Sequence, residues 1–160
     1  MKRICEHVAF VALILLIGAG CDTQEQQKDF LDDAFSPPSG FTRTDADGRI
    51  LSDDKDDWRT APIYTGRVLI DPAFPNPVSG AFIAIPVRVR EFNAVPGGLE
   101  VVSFDENQIP RRLDAVREAS DPGAYVLSFN PTLLDVRGLV RVFILDGRGE
   151  MVSYGDIFID

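Results

Sequence analysis

Three side chains in this 160-residue chain could supply thiol or imidazole chemistry: Cys5, His7 and Cys21. Cys5 and His7 follow Lys2 and Arg3 and precede residues 8–20, an uncharged apolar run that ends in small residues. Positive, then apolar, then small is the order of a secretory signal peptide. The run is shorter than the roughly 20 residues that a spanning helix needs. Both side chains are therefore expected to leave with residues 1–20. Without thiol or imidazole an enzyme would need carboxylates, and a glycosidase needs a facing pair of them. Past residue 58, Asp71, Asp105, Glu106, Asp121, Asp135 and Asp146 fall in turn-forming sequence, where carboxylates act as local hydrogen-bond acceptors. Residues 58–160 contain no Lys that could serve Ser as a base. An enzyme is not expected.

Residues 17–21 read Ile-Gly-Ala-Gly-Cys. This resembles a bacterial lipobox, in which small residues precede a cysteine. The resemblance implies that Cys21 becomes the first residue after cleavage and carries a diacylglyceryl thioether and an N-acyl chain such as palmitate. More than one acyl chain gives stable anchoring to a lipid bilayer, where a single chain does not. With Cys5 and His7 removed and Cys21 acylated, no free thiol, disulfide or imidazole is left. Cysteine nucleophiles, Ser-His-Asp triads and His- or Cys-ligated zinc are then excluded. No cofactor is implied.

Charge divides the rest of the chain. Residues 22–57 carry eleven acids and four bases, whereas residues 58–160 carry thirteen acids and ten Arg. The overall net charge of −9 and the absence of clustered cations argue against a nucleic-acid partner. A segment as acidic as 22–57 is expected to be disordered and, by self-repulsion, extended; with Cys21 it makes a tether over residues 21–57. Acids after a lipidated cysteine resemble the surface-export signals of Bacteroidetes-type lipoproteins. Asp22 directly after Cys21 resembles the inner-membrane retention signal of enterobacteria. Outer membrane or cell surface is the favoured expectation. Within the tether, Asp45, Asp47 and Asp54 match part of a calcium loop, with Gly48 and Ile50 at suitable offsets. The first ligand position would be Arg43, a cation, so a solvated Asp-Gly turn is the preferred reading and no metal is expected.

From residue 58 onward, short alternating runs are separated by turn residues. Ile83, Ile85, Val87 and Val89 face one way, and Arg88 and Arg90 the other. Pro86 within this run suggests an edge or bulged strand, since proline cannot donate to the ladder. Further strands are expected over 68–70, 99–104, 124–129, 139–145, 151–154 and 156–159, with a glycine hairpin loop at 146–149. Residues 113–119 are the one candidate helical turn, and read equally well as strand and loop. The fold expected over 58–160 is an antiparallel β-sandwich.

Several motifs then line up: Phe74-Pro75-Asn76-Pro77-Val78-Ser79-Gly80, Val101-Val102-Ser103-Phe104-Asp105, Arg111-Arg112-Leu113, Gly123-Ala124-Tyr125-Val126-Leu127 and Gly138-Leu139-Val140-Arg141-Val142. Their order resembles the FlgD-like immunoglobulin fold and the related C-terminal domains of type IX secretion. The resemblance implies an immunoglobulin-like accessory module and no catalysis. The Pro-Asn-Pro corner needs only turn chemistry.

The expected function is that of a non-enzymatic envelope lipoprotein docking another envelope protein, with Arg88 and Arg90 as candidate binding surface. The alternative is a cell-surface carbohydrate-binding module that stacks sugars on Trp58, Tyr64 or Tyr154.

Overall fold

The computed structural model describes residues 23–160 apart from 81, 106 and 108. The expected signal peptide, residues 1–20, and the expected lipidation site, Cys21, lie outside the described residues. The chain divides into two compact units, Met1–Ser36 and Pro37–Asp160.

In the first unit, residues 23–34 form a helix, α1. This stretch has no Gly or Pro, and its Gln, Glu, Lys, Leu and Ala side chains lose little freedom in a helix. Lys28 and Asp32, one turn apart, pair at 2.8 Å. Past the helix end the Ser36 hydroxyl donates to the Asp32 carbonyl at 3.0 Å. Pro37-Pro38 follows, and the residue before a proline is pushed out of helical geometry. Among the described residues, no helix is long and apolar enough to cross a membrane.

The second unit is mostly β. Strands β1 (Arg43–Thr44) and β2 (Ile50–Ser52) form a hairpin. A 3-10 turn, Pro62–Tyr64, leads into β3 (Val68–Ile70), β4 (Ile83–Val89), β5 (Leu99–Phe104) and β6 (Pro110–Val116). Strand β7 (Gly123–Phe129), a second 3-10 turn (Pro131–Leu134), β8 (Gly138–Asp146) and β9 (Met151–Ile159) complete it. The larger sheets run β3-β4-β7 and β6-β5-β8-β9, and every pairing within them is antiparallel.

Of the acidic stretch 22–57, expected to be disordered, the described residues are ordered: helical over 23–34 and part of the β unit from residue 37. Composition misses this because two uncharged residues among the acids, Thr42 and Thr44, are buried and bonded. Thr44 Oγ1 donates to the Ala73 carbonyl at 2.7 Å. The Thr42 amide donates to Asp57 Oδ2 at 2.7 Å, and the Asp54 amide donates to Thr42 Oγ1 at 3.0 Å.

Strand β4 alternates as its sequence requires, with Ile83, Ile85, Val87 and Val89 buried and Arg88 exposed. Pro86 does not place it at an edge, for β4 lies between β3 and β7. The Pro86 carbonyl accepts the Asp71 amide at 3.0 Å, just past the end of β3 at Ile70. In an antiparallel ladder a residue's N and O point the same way. The missing N–H thus faces the side on which β3 has already stopped. Residues 113–116 continue β6, so the candidate helical turn is strand there.

Strand β9 is buried along nearly its whole length, and residues 58–61 run beside its outer edge. The Trp58 amide donates to the Tyr154 carbonyl at 2.9 Å, and the Ala61 amide to that of Val152 at 2.8 Å. Between the sheets, Asp114 Oδ2 accepts the Ser128 amide at 2.7 Å, linking β6 to β7.

Candidate functional site

Of the residues singled out by sequence, Arg88 and Arg90 lie where alternation puts them. The cross-strand register sets Leu69, Arg88 and Ala124 in one row of the β3-β4-β7 sheet, Pro86 with Val126 in the next, and Ala84 with Ser128 beyond. Apart from Arg88, the residues of these rows are small or apolar. Val126 is 53% exposed. Arg88 is committed to a neighbour, its Nη2 lying 2.7 Å from Asp71 Oδ1. Arg67 and Glu91 make a similar exposed pair at 3.0 Å. Arg90 follows β4 and is exposed, its backbone amide donating to the Arg67 carbonyl at 2.8 Å. An exposed face that mixes small, apolar and arginine side chains has the composition of a protein-contact surface.

Trp58 does not join that face. It is 5% exposed, Tyr64 4% and Tyr154 1%. None of the three aromatics proposed for sugar stacking is available as a platform. For Trp58, Gly155 on β9 makes room, since an added Cβ there would run into the indole ring. A bare backbone here lets Trp58 pack flat against the strand, at the cost of a left-handed backbone with φ 58°.

Around that indole lies a charged cluster that sequence reasoning missed. Arg141 on β8 grips Asp156 on β9 with two hydrogen bonds, Nε to Oδ1 and Nη2 to Oδ2, both 2.7 Å. The Arg141 guanidinium carbon lies 4.8 Å from the Tyr154 ring centre, and Arg59 donates to the Tyr154 hydroxyl at 2.6 Å. Asp57 accepts the amides of Thr42 at 2.7 Å and Asp156 at 2.9 Å. Burial pushes the Asp57 carboxyl up to about 7, with Asp156 and Asp54 adding to the rise and the two amides opposing it. Burial likewise raises the Asp156 carboxyl, against the pull of Arg141. Tyr64 is raised by burial and by its hydrogen bond to Asp146 Oδ2 at 3.0 Å.

Asn76, in the Pro-Asn-Pro corner, does more than turn the chain. Fully buried, its Nδ2 donates to the carbonyls of Thr42 at 2.9 Å and Asp156 at 3.0 Å, while Oδ1 accepts the Phe158 amide at 2.9 Å. It ties the 42–57 segment to β9. The signal available in sequence was a polar side chain held between two prolines.

The calcium alternative does not assemble. Asp45 Oδ1 accepts the amides of Asp47 at 3.0 Å and Arg49 at 2.9 Å, closing the β1–β2 hairpin. Asp54 Oδ1 accepts the Asp56 amide at 3.2 Å. Among the described residues, no group of three or more His, Cys, Asp or Glu is placed to hold a metal ion. The turn carboxylates Asp105 and Asp146 are likewise occupied by backbone amides of their own loops. No protein-family model matches the chain, and no curated protein sequence matches it.

Proposed function

We propose that the chain is a non-enzymatic lipoprotein of the bacterial cell envelope, held on the outer membrane or cell surface through acylated Cys21. Its β unit is read as an immunoglobulin-like sandwich, FlgD-like in motif order, that docks another envelope protein. The three- and four-stranded antiparallel sheets support that reading. The observation that carries it is the sequence order of leader, lipobox-like Cys21 and compact β unit. The outward face of β3-β4-β7, which carries Arg88 and ends beside Arg90, is the docking surface. The carbohydrate alternative loses its aromatic platform to burial.

The test is a crosslinked pull-down of the full-length protein from intact membranes, read by mass spectrometry, together with the mass of its N-terminal peptide. Acylated Cys21 and one stoichiometric envelope partner, weakened by the Arg88→Ala/Arg90→Ala pair, are the expected results. Recovery of the lipoprotein alone would overturn docking, and an unmodified Cys21 would overturn the anchor.

A further inference from the structure

The carboxylates of Asp45, Asp54, Asp105 and Asp146 each accept a backbone amide of their own loop. Asp135 does not. It ends the second 3-10 turn in a left-handed backbone, φ 54° and ψ 34°, for which Gly is the ordinary residue. The turn is held without its carboxylate: the Asn130 side chain accepts the Thr132 amide at 3.0 Å, and Pro131 and Leu134 are buried. Two residues on, Arg137 is also exposed. Among the described residues, neither the Asp135 carboxylate nor the Arg137 guanidinium has a hydrogen-bond or ion-pair partner.

Both side chains line a cleft of about 470 Å³, a volume within the range of small-molecule sites. The end of β9 and the residues after the Pro-Asn-Pro corner supply the rest of its wall. Val78 bridges Ile159, the Asp160 amide donates to the Val78 carbonyl at 3.1 Å, and Ser79 Oγ donates to Asp160 Oδ2 at 2.8 Å. Pro131, Val136 and Ile159 give the lining an apolar part. The cleft thus presents the carboxylates of Asp135 and Asp160, the guanidinium of Arg137 and an aliphatic patch. A matching ligand carries the reverse: two cationic groups, one carboxylate and an aliphatic stem. A nucleotide would set phosphate against two carboxylates, and a neutral sugar would desolvate three charges without pairing them. We infer that this cleft binds a basic amino acid. Its ammonium groups meet Asp135 and Asp160, and its carboxylate meets the planar fork of Arg137. Its methylene chain lies on Val136 and Ile159. The inference rests on neither the lipid anchor nor the docking face.

The experiment titrates the full-length protein with L-lysine and follows binding by calorimetry. Saturable binding at one site is expected, weakened by added salt as exposed charge contacts are. Blocking either end of the ligand should lower affinity about tenfold. L-Lysine amide removes the group that meets Arg137, and Nα-acetyl-L-lysine removes one ammonium. D-Glucose should not bind. On the protein side, Asp135→Asn keeps a residue that tolerates the left-handed backbone, and Arg137→Gln changes an exposed side chain. Each should weaken L-lysine binding about tenfold and leave the thermal transition where it is. Absence of L-lysine binding overturns the inference, and so does equal binding of L-lysine and either blocked form. D-Glucose bound as tightly as L-lysine, or L-lysine binding undisturbed in either folded variant, overturns it too. The blocked ligands use the unaltered protein, so they decide the matter even where a variant fails to fold.

Discussion

Two arginine–aspartate pairs in the β unit have the same closest distance and different surroundings. Arg88–Asp71 and Arg141–Asp156 both close to 2.7 Å. The side chains of the first pair are 51% and 39% exposed, those of the second 12% and 3%. Water screens the first, and such pairs contribute about 0–1 kcal/mol. The second is bidentate and packed against Tyr154, so removing one partner strands a buried charge. Equal distances thus mark a removable surface feature in one place and a structural requirement in the other. Arg88 can be spent on recognition because folding does not depend on it.

The largest expected effect comes from breaking the buried pair. Arg141→Ala should lower stability by about 3–5 kcal/mol, read as a lower urea midpoint. A double variant, Arg141→Met with Asp156→Leu, sharpens the comparison. If burial of charge is the difficulty, it should recover most of that loss; if it is as unstable as the single variant, the pair itself is stabilising. Next comes Asn76→Ala, which orphans two buried carbonyls and one amide at about 1 kcal/mol or more each. Thermal unfolding would report it.

A pH effect should follow from Asp57, whose carboxyl is raised from 3.8 to about 7. Between those values the folded state binds a proton that the unfolded state has released, so this group's stabilisation is fully present below about pH 4 and lost as the pH rises through 7. The urea midpoint measured from pH 4 to 8 should carry this downward contribution, and Asp57→Asn should remove it. The smallest effect is Arg88→Ala, expected to change stability by less than about 1 kcal/mol. A loss as large as that of Arg141→Ala would erase the contrast between the pairs.

Strand β4 was legible because one of its faces is wet, which writes a period of two into the residues. Strand β9 was not, since burial on both faces removes the alternation, and its two expected pieces are one strand running through Gly155. The Arg141–Asp156 pairing was hidden for a more specific reason. Counting back from the 146–150 turn places Arg141 opposite Gly155. A bulge between Ile144 and Leu145 shifts the register by one and brings Asp156 across instead. No residue type announces that bulge. The acidic composition of 22–57 spoke only of unfavourable burial, while its order beyond residue 37 depends on Thr42, Thr44 and Asp57 finding partners far along the chain. The Asp45 turn was legible as a turn because an Asp-Gly step closes a hairpin with local bonds alone.

The bonds from Asp57, Trp58 and Asn76 to β9 also govern timing. Asp57 meets the Asp156 amide across 99 residues, and Asn76 meets that of Phe158 across 82. Such distant partners slow folding, because a long loop must close before any bond rewards it. Until residues 156–158 have been synthesised, the early segment has only its nearer partners, such as Ala73 and Asn76, to fasten to. During synthesis the bonds that fasten the early segment to β9 therefore form last, when the final strand arrives.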